Sequence, residues 1–192
     1  MTTTPTLDEL ITLLVRGASE ELCFSGVNHE LREDGTWRRS RVWRQNRLAR
    51  IEDLSGDSTL IAGDRTYWRK WPSDPTFVAL ERPADHDTFD LGSWTMLDPD
   101  EYWRDWLTQD AEAVLTSLRQ VTYEGRDALQ FVAPEVKGGM PTLTVDVELG
   151  LEVRAKRADV GVFHCWTDLR TDESMNDDLF LHTAPLSSNL GS

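Results

Sequence analysis

The sequence predicts a mainly β protein of the α+β class, an antiparallel meander on a curved sheet with a few helices. Three observations predict it. Short alternating segments are separated by turn residues, a capped amphipathic helix precedes them, and a second capped helix start lies mid-chain.

Thr6-Leu7-Asp8-Glu9 reads as a capping box, with Thr6 as N-cap and Glu9 at the third helical position. Leu7, Leu10, Ile11 and Leu14 then put one apolar face on the helix, and Gly17 is placed to end it. Strands are expected at 21–31, 36–45, 47–54, 58–63, 65–71 and 77–81. Turns at Asp34-Gly35, Asn46, Ser55-Gly56-Asp57, Gly63-Asp64 and Pro72-Ser73-Asp74-Pro75 separate them. Strands joined this closely in sequence pair antiparallel. Residues 82–97, with Pro83 and Gly92, read as irregular.

Asp98-Pro99-Asp100-Glu101 starts the second helix, with Asp as N-cap and Pro at the first helical position. Tyr102, Trp103, Trp106 and Leu107 give it a heavy aromatic face, and 111–116 either extend it or begin a strand. Further strands are expected at 118–123, 128–133, 142–148, 151–157 and 160–170. Turns fall at Glu124-Gly125 and Leu149-Gly150, and a loop holds Gly138, Gly139 and Pro141. Leu143, Val145 and Val147 alternate with Thr144, Asp146 and Glu148, as for a sheet with one dry face. The last strand is apolar on both sides. With no internal repeat, low-complexity tract or linker, residues 1–192 are expected to form one domain.

A chain of 192 residues should bury roughly 70% of its unfolded surface. Its hydrophobic content of 39% is ordinary for a globular protein. A formal net charge of −14 repels phosphate backbones and anionic lipid surfaces, which disfavours nucleic acid as a partner. Residues 1–6 carry no Lys or Arg, and the apolar stretch after them is broken by Asp8, Glu9 and Thr12, so no secretory signal is expected. No window approaches the ~20 apolar residues of a membrane span, so integral membrane association is not expected. Cys23 and Cys165 are expected to be buried and reduced, which reads as cytoplasmic.

Several local stretches belong together as a set: Phe24-Ser25-Gly26 after the first helix, Arg41-Val42-Trp43-Arg44-Gln45 running into Leu48-Ala49-Arg50-Ile51-Glu52, and Gly63-Asp64-Arg65-Thr66-Tyr67-Trp68. Gly125-Arg126-Asp127-Ala128-Leu129, Leu143-Thr144-Val145-Asp146-Val147 with Gly150-Leu151-Glu152-Val153-Arg154, and Asp178-Leu179-Phe180 before Pro185 follow. In this order, over most of the chain, they resemble the LolA/LppX-like superfamily of lipoprotein-localisation factors, in particular its uncharacterised actinobacterial members. The resemblance implies an incompletely closed antiparallel β-barrel with helices covering the open side. It also implies an apolar cavity for acyl chains, in a family that includes regulators sensing lipoproteins or lipids. The chain is expected to depart from that family in carrying no signal peptide and no lipobox cysteine, since Cys23 follows a helix.

Eight tryptophans are the most unusual feature of the composition. Trp43, Trp68, Trp103, Trp106 and Trp166, with Phe131 and Val145, are the candidate lining of a ligand cavity, or else plain core. Arg38, Arg39, Arg41, Arg44, Arg47 and Arg50 crowd two neighbouring strands, where Trp37, Arg39, Arg41 and Trp43 share a face by the two-residue period. Arg39, Arg41 or Arg44 could meet an acidic headgroup, or the arginines could pair with Asp98, Asp100, Glu101 and Asp105. His29-Glu30, Asp85-His86-Asp87 and His164-Cys165 are the metal-like pairings, without zinc spacing, and adjacent strand residues face opposite ways. The sequence holds no Gly-x-Ser-x-Gly elbow and no phosphate loop, so no catalytic residue, metal or cofactor is expected. The expectation is a non-enzymatic protein that binds a lipid or other amphiphile. The alternative is a protein-interaction module whose cavity its own tryptophans fill.

Overall fold

Alternating segments and turn residues become antiparallel ladders close to where the sequence places them. The computed structural model describes residues 5–18, 22–45, 48–54, 59–62, 66–70, 78–81, 99–136, 138–171 and 175–181. The turns expected at Asn46, Ser55-Gly56-Asp57, Gly63-Asp64 and Pro72-Ser73-Asp74-Pro75, the irregular residues 82–97 and the Asp98 cap lie outside them. The chain divides into two compact units, residues 1–19 with 87–165, and residues 20–86 with 166–192.

The first unit begins with α1 (Leu7–Gly17), entered through the expected capping box: Thr6 accepts from the Glu9 amide while Glu9 accepts from the Thr6 amide. Then come α2 (Pro99–Thr108) and α3 (Ala111–Ser117), so the undecided 111–116 stretch forms a separate short helix, capped by the Asp110 carboxylate. The strands here are β7 (Arg119–Tyr123), β8 (Arg126–Val132), β9 (Thr142–Asp146), β10 (Glu152–Arg157) and the start of β11 (Gly161–Arg170). They pair antiparallel in chain order. Glu124 and Gly125 both adopt positive φ, 51° and 79°, between the paired Tyr123 and Arg126. That is the two-residue hairpin turn whose twist matches its strands, and glycine takes the second position without strain.

Register puts Leu129 opposite Val145, Phe131 opposite Leu143, and Leu143 opposite Ala155, all on one face. Against that face α1 lays Leu10, Ile11 and Leu14, α2 lays Trp103 and Leu107, and α3 lays Val114, forming one continuous core. Gly17 is the last residue of α1, as expected, and this packing gives a second reason for glycine there. The residue after it, Ala18, is right-handed (φ −92°), so no left-handed glycine cap ends the helix. A Cβ on Gly17 would lie 2.2 Å from the Gly150 carbonyl oxygen, and one on Gly150 would lie 2.0 Å from the Leu13 carbonyl oxygen.

The second unit holds β1 (Cys23–Leu31), β2 (Trp37–Gln45), β3 (Leu48–Asp53), β4 (Thr59–Ala62), β5 (Thr66–Lys70), β6 (Val78–Glu81) and the end of β11. The ladders from β1 to β6 are antiparallel in chain order. A 3-10 turn, Asp177–Phe180, lies on β3, where Arg50 donates to the Leu179 carbonyl at 3.0 Å and Phe180 is buried. Among the described residues the hydrogen-bonded strand order is β6-β5-β4-β3-β2-β1-β11-β10-β9-β8-β7 and does not return on itself. An unclosed antiparallel sheet with helices is the fold class the sequence predicts.

Candidate functional site

Four of the ten candidate ligand residues come together in the first unit. Phe131 and Val145 are fully buried on the sheet, Trp103 is 2% exposed, and Trp106 packs against the same core, half-buried. The other six belong to the second unit. Trp166 is buried there, edge-on to Phe24 with ring centroids 5.6 Å apart. Trp43 is half-buried on β2, and Trp68 stands in β5 opposite Ile61 and Ala79, its side chain outside the described set. Arg39 and Arg41 are exposed, but Arg44 is buried on the opposite face of β2. The two-residue period separates it from the pair it is expected to join.

Helix α2 makes the first-unit site aromatic. Tyr102 meets Trp103 edge-on (centroids 5.2 Å, planes at 80°), and Trp106 lies 5.7 Å from Trp103 and 6.1 Å from Tyr102. The Trp103 indole Nε1 is buried with no hydrogen-bond partner among the described residues. Such a donor costs about 1–3 kcal/mol of desolvation. At the α1–α2 surface Arg104 pairs with Asp8 at 2.9 Å and with Asp100 at 3.3 Å. Both pairs are exposed, and such pairs contribute ~1 kcal/mol or less.

A polar group sits on β10 and β11. His164, opposite Ala155, places Nδ1 2.9 Å from the Glu152 Oε1 atom, both half-buried. Burial, and then the Glu152 charge, raise the Tyr102 phenol above its ordinary range. The His164–Glu152 pair is not legible by spacing, because twelve positions separate the two residues. Only the β10–β11 hairpin register brings them together.

The opposite sheet face is polar and bonded. Arg126 donates to Asp146 at 2.5 Å and to Glu148 at 2.7 Å, and the Leu149 amide donates to the same Asp146 carboxylate. Gln130 donates to Thr144 at 3.2 Å. Cys165, expected to be buried, is half-buried against Tyr123, and burial raises both the thiol and the phenol, the latter to about 12. Cys23 is also a half-buried thiol.

The described ion pairs of the β2 and β3 arginines are local to their own strands. Arg38 lies 3.9 Å from Asp53, Arg50 pairs with Glu52 at 2.5 Å, and Asp100 is taken by Arg104. Among the described residues no three His, Cys, Asp or Glu are grouped to hold a metal ion. No described helix is long and apolar enough to cross a membrane.

No family model matches the chain, and no curated protein is similar to it in sequence. Solved structures are similar in fold. An uncharacterized conserved protein from Thermus thermophilus is 11% identical with a TM-score of 0.54, over 94% of this chain and 97% of that one. MucB is 17% identical with a TM-score of 0.51 over 93% of this chain; the chain spans 63% of MucB. The similar structures also include LolA superfamily protein NE2245 from Nitrosomonas europaea, 12% identical over 94% and 99% of the two chains, with a TM-score of 0.37. At these identities the likeness is one of fold, and it rests on the first two.

Proposed function

We propose that this chain is a non-enzymatic binding protein, and that its ligand is an apolar or amphiphilic molecule of the acyl-chain type. The ligand would be held between the helices and the sheet of the first unit, with α2 as the wall that moves. The observation that carries this reading is Trp103: a buried indole N–H without an acceptor among the described residues, beside two more aromatic rings on the same helix. A ligand oxygen seated there would remove the desolvation penalty, and apolar burial at ~25 cal/mol per Å² would supply the rest. The exposed Arg104–Asp8 ion pair joins α2 to α1 at the surface, and displacing it costs little. The cytoplasm is the compartment we propose, supported by two cysteines that remain thiols.

The test is tryptophan fluorescence during titration with saturated fatty acids of increasing length, paired with native mass spectrometry of protein purified from its own host. A saturable change in emission that Trp103→Phe diminishes, with co-purified lipid, is expected. A bare monomer with no saturable change across the panel overturns the reading. One observation favours the alternative of a protein-interaction module: Leu10, Ile11, Leu107, Val114, Phe131 and Val145 are all at 0% exposure, as in a filled interior. Co-purification of a stoichiometric protein in place of lipid would select it.

A further inference from the structure

Strand β2 carries an exposed stripe that the first-unit site does not use. Trp37, Arg39 and Arg41 are exposed along one face and Trp43 follows half-buried, while Ser40, Val42 and Arg44 are buried on the other face. Arginines on these strands usually find acids: Arg38 and Arg32 approach Asp53, and Arg50 pairs with Glu52. Arg39 and Arg41 have no ion pair among the described residues, and the register explains why. Arg41 stands opposite Glu52, but that carboxylate is held from its own strand by Arg50, at 2.7 Å from Nε. Arg39 stands opposite His29, which offers no acid. On a chain of net charge −14, these two guanidiniums are therefore a local positive site in an otherwise repulsive field for anions.

The spacing gives the ligand's form. Alternate residues of a strand lie about 6.7 Å apart, so Arg39 and Arg41 match two carboxylates at i and i+2 of another extended segment. Trp37 and Trp43 bracket them at the i−2 and i+4 positions with flat apolar surface. We propose that this face docks an extended acidic peptide segment of a partner protein. Its alternate Asp or Glu side chains would meet Arg39 and Arg41 as charge-assisted pairs, and apolar residues two positions outside them would meet Trp37 and Trp43.

The probe is a dye-labelled heptapeptide, Leu-Ser-Glu-Thr-Glu-Ser-Leu, compared by fluorescence anisotropy with its isomer Leu-Ser-Glu-Glu-Thr-Ser-Leu of identical composition. The alternating peptide should bind at least about tenfold more tightly than the isomer, and Arg39→Gln with Arg41→Gln should remove that advantage. Both arginines are exposed, so the double variant should keep the wild-type circular dichroism. Binding should weaken as salt shortens the Debye length. Equal affinity for the two peptides, no binding of either, or an advantage that survives the double variant overturns the proposal. So does tight arginine-dependent binding to phosphatidylglycerol vesicles that the alternating peptide does not displace, which would assign the stripe to a membrane surface.

Discussion

Gly17→Ala tests the packing of α1 on the sheet unit, because two general expectations give it opposite signs. Helix propensity alone makes the change stabilising by up to ~1 kcal/mol. The structure makes it destabilising. The new Cβ would sit 2.2 Å from the Gly150 carbonyl oxygen, a backbone atom, and ordinary contact begins at 3.4 Å, so helix and turn must separate by about 1.2 Å. The turn has little room to yield, because Gly150 already holds a φ of +71° and packs so closely on α1 that even a Cβ there would lie 2.0 Å from the Leu13 carbonyl oxygen. The helix must move instead, and it carries Leu10, Ile11 and Leu14, each at 1% exposure or less. A gap approaching 1 Å forfeits a quarter to a half of the dispersion well for the contacts it opens. With ~1.5–3 kcal/mol in each buried leucine or isoleucine, the three lose roughly 3 kcal/mol together, less about 1 kcal/mol of helix propensity. The expected net loss is about 2 kcal/mol, or about 4–8 °C in Tm for a chain of this size. Urea unfolding followed by tryptophan emission and circular dichroism measures it, with Gly125→Ala as the comparison. Unlike the helical Gly17, that position has positive φ (+79°) with nothing within 4 Å, so it reports backbone strain without collision. A Gly17→Ala variant as stable as wild type, or more stable, would refute the reasoning.

Two further predictions follow from the polar face of the first unit. Asp146→Ala strands Arg126 and the Leu149 amide, and breaking a buried pair of this kind should cost roughly 3 kcal/mol in urea unfolding, with Glu148→Ala, whose carboxylate is exposed, costing much less. Burial raises Tyr123 from 10.0 to about 12, so its folded value lies above its unfolded one. The stability tied to it is then fully present below pH ~10 and lost as pH rises through about 12. The phenol is only half-buried, so solvent screening reduces the effect to about 1 kcal/mol. Ultraviolet titration should show a tyrosine ionising near pH 12, and Tyr123→Phe should remove that transition and this part of the alkaline loss while the raised Tyr102 remains.

Most of the fold is legible in the sequence because its signals are local. The capping box at Thr6, the aromatic face of α2 and the turn at Glu124-Gly125 each depend on a few consecutive residues, and each appears where expected. Residues 111–117 are ambiguous for the same reason. Ala111 to Leu115 has neither clean alternation nor a long apolar face, and what decides for helix is the Asp110 cap together with Val114 reaching the core. Gly17 ends α1 where expected, but the demand for glycine there is not local: it is set by Gly150, remote in sequence and adjacent only once the strands are paired.

The candidate site divides along the same line. Trp103, Trp106, Phe131 and Val145 can be grouped from amphipathic period alone, since a helix face and a sheet face must each be covered by something. The arginines cannot, because charge is settled by cross-strand register and not by proximity in the chain. Glu52 opposes Arg41 yet serves Arg50, and Asp53 approaches Arg38. One residue of slip between β2 and β3 would move every partner and turn Arg39 and Arg41 to the buried face. The same register that buries Val42 against Ile51 therefore leaves two cations on the surface without an acid among the described residues. An exposed positive site in an acidic chain is thus a consequence of how the core is aligned, and a change that shifted the alignment would abolish both together.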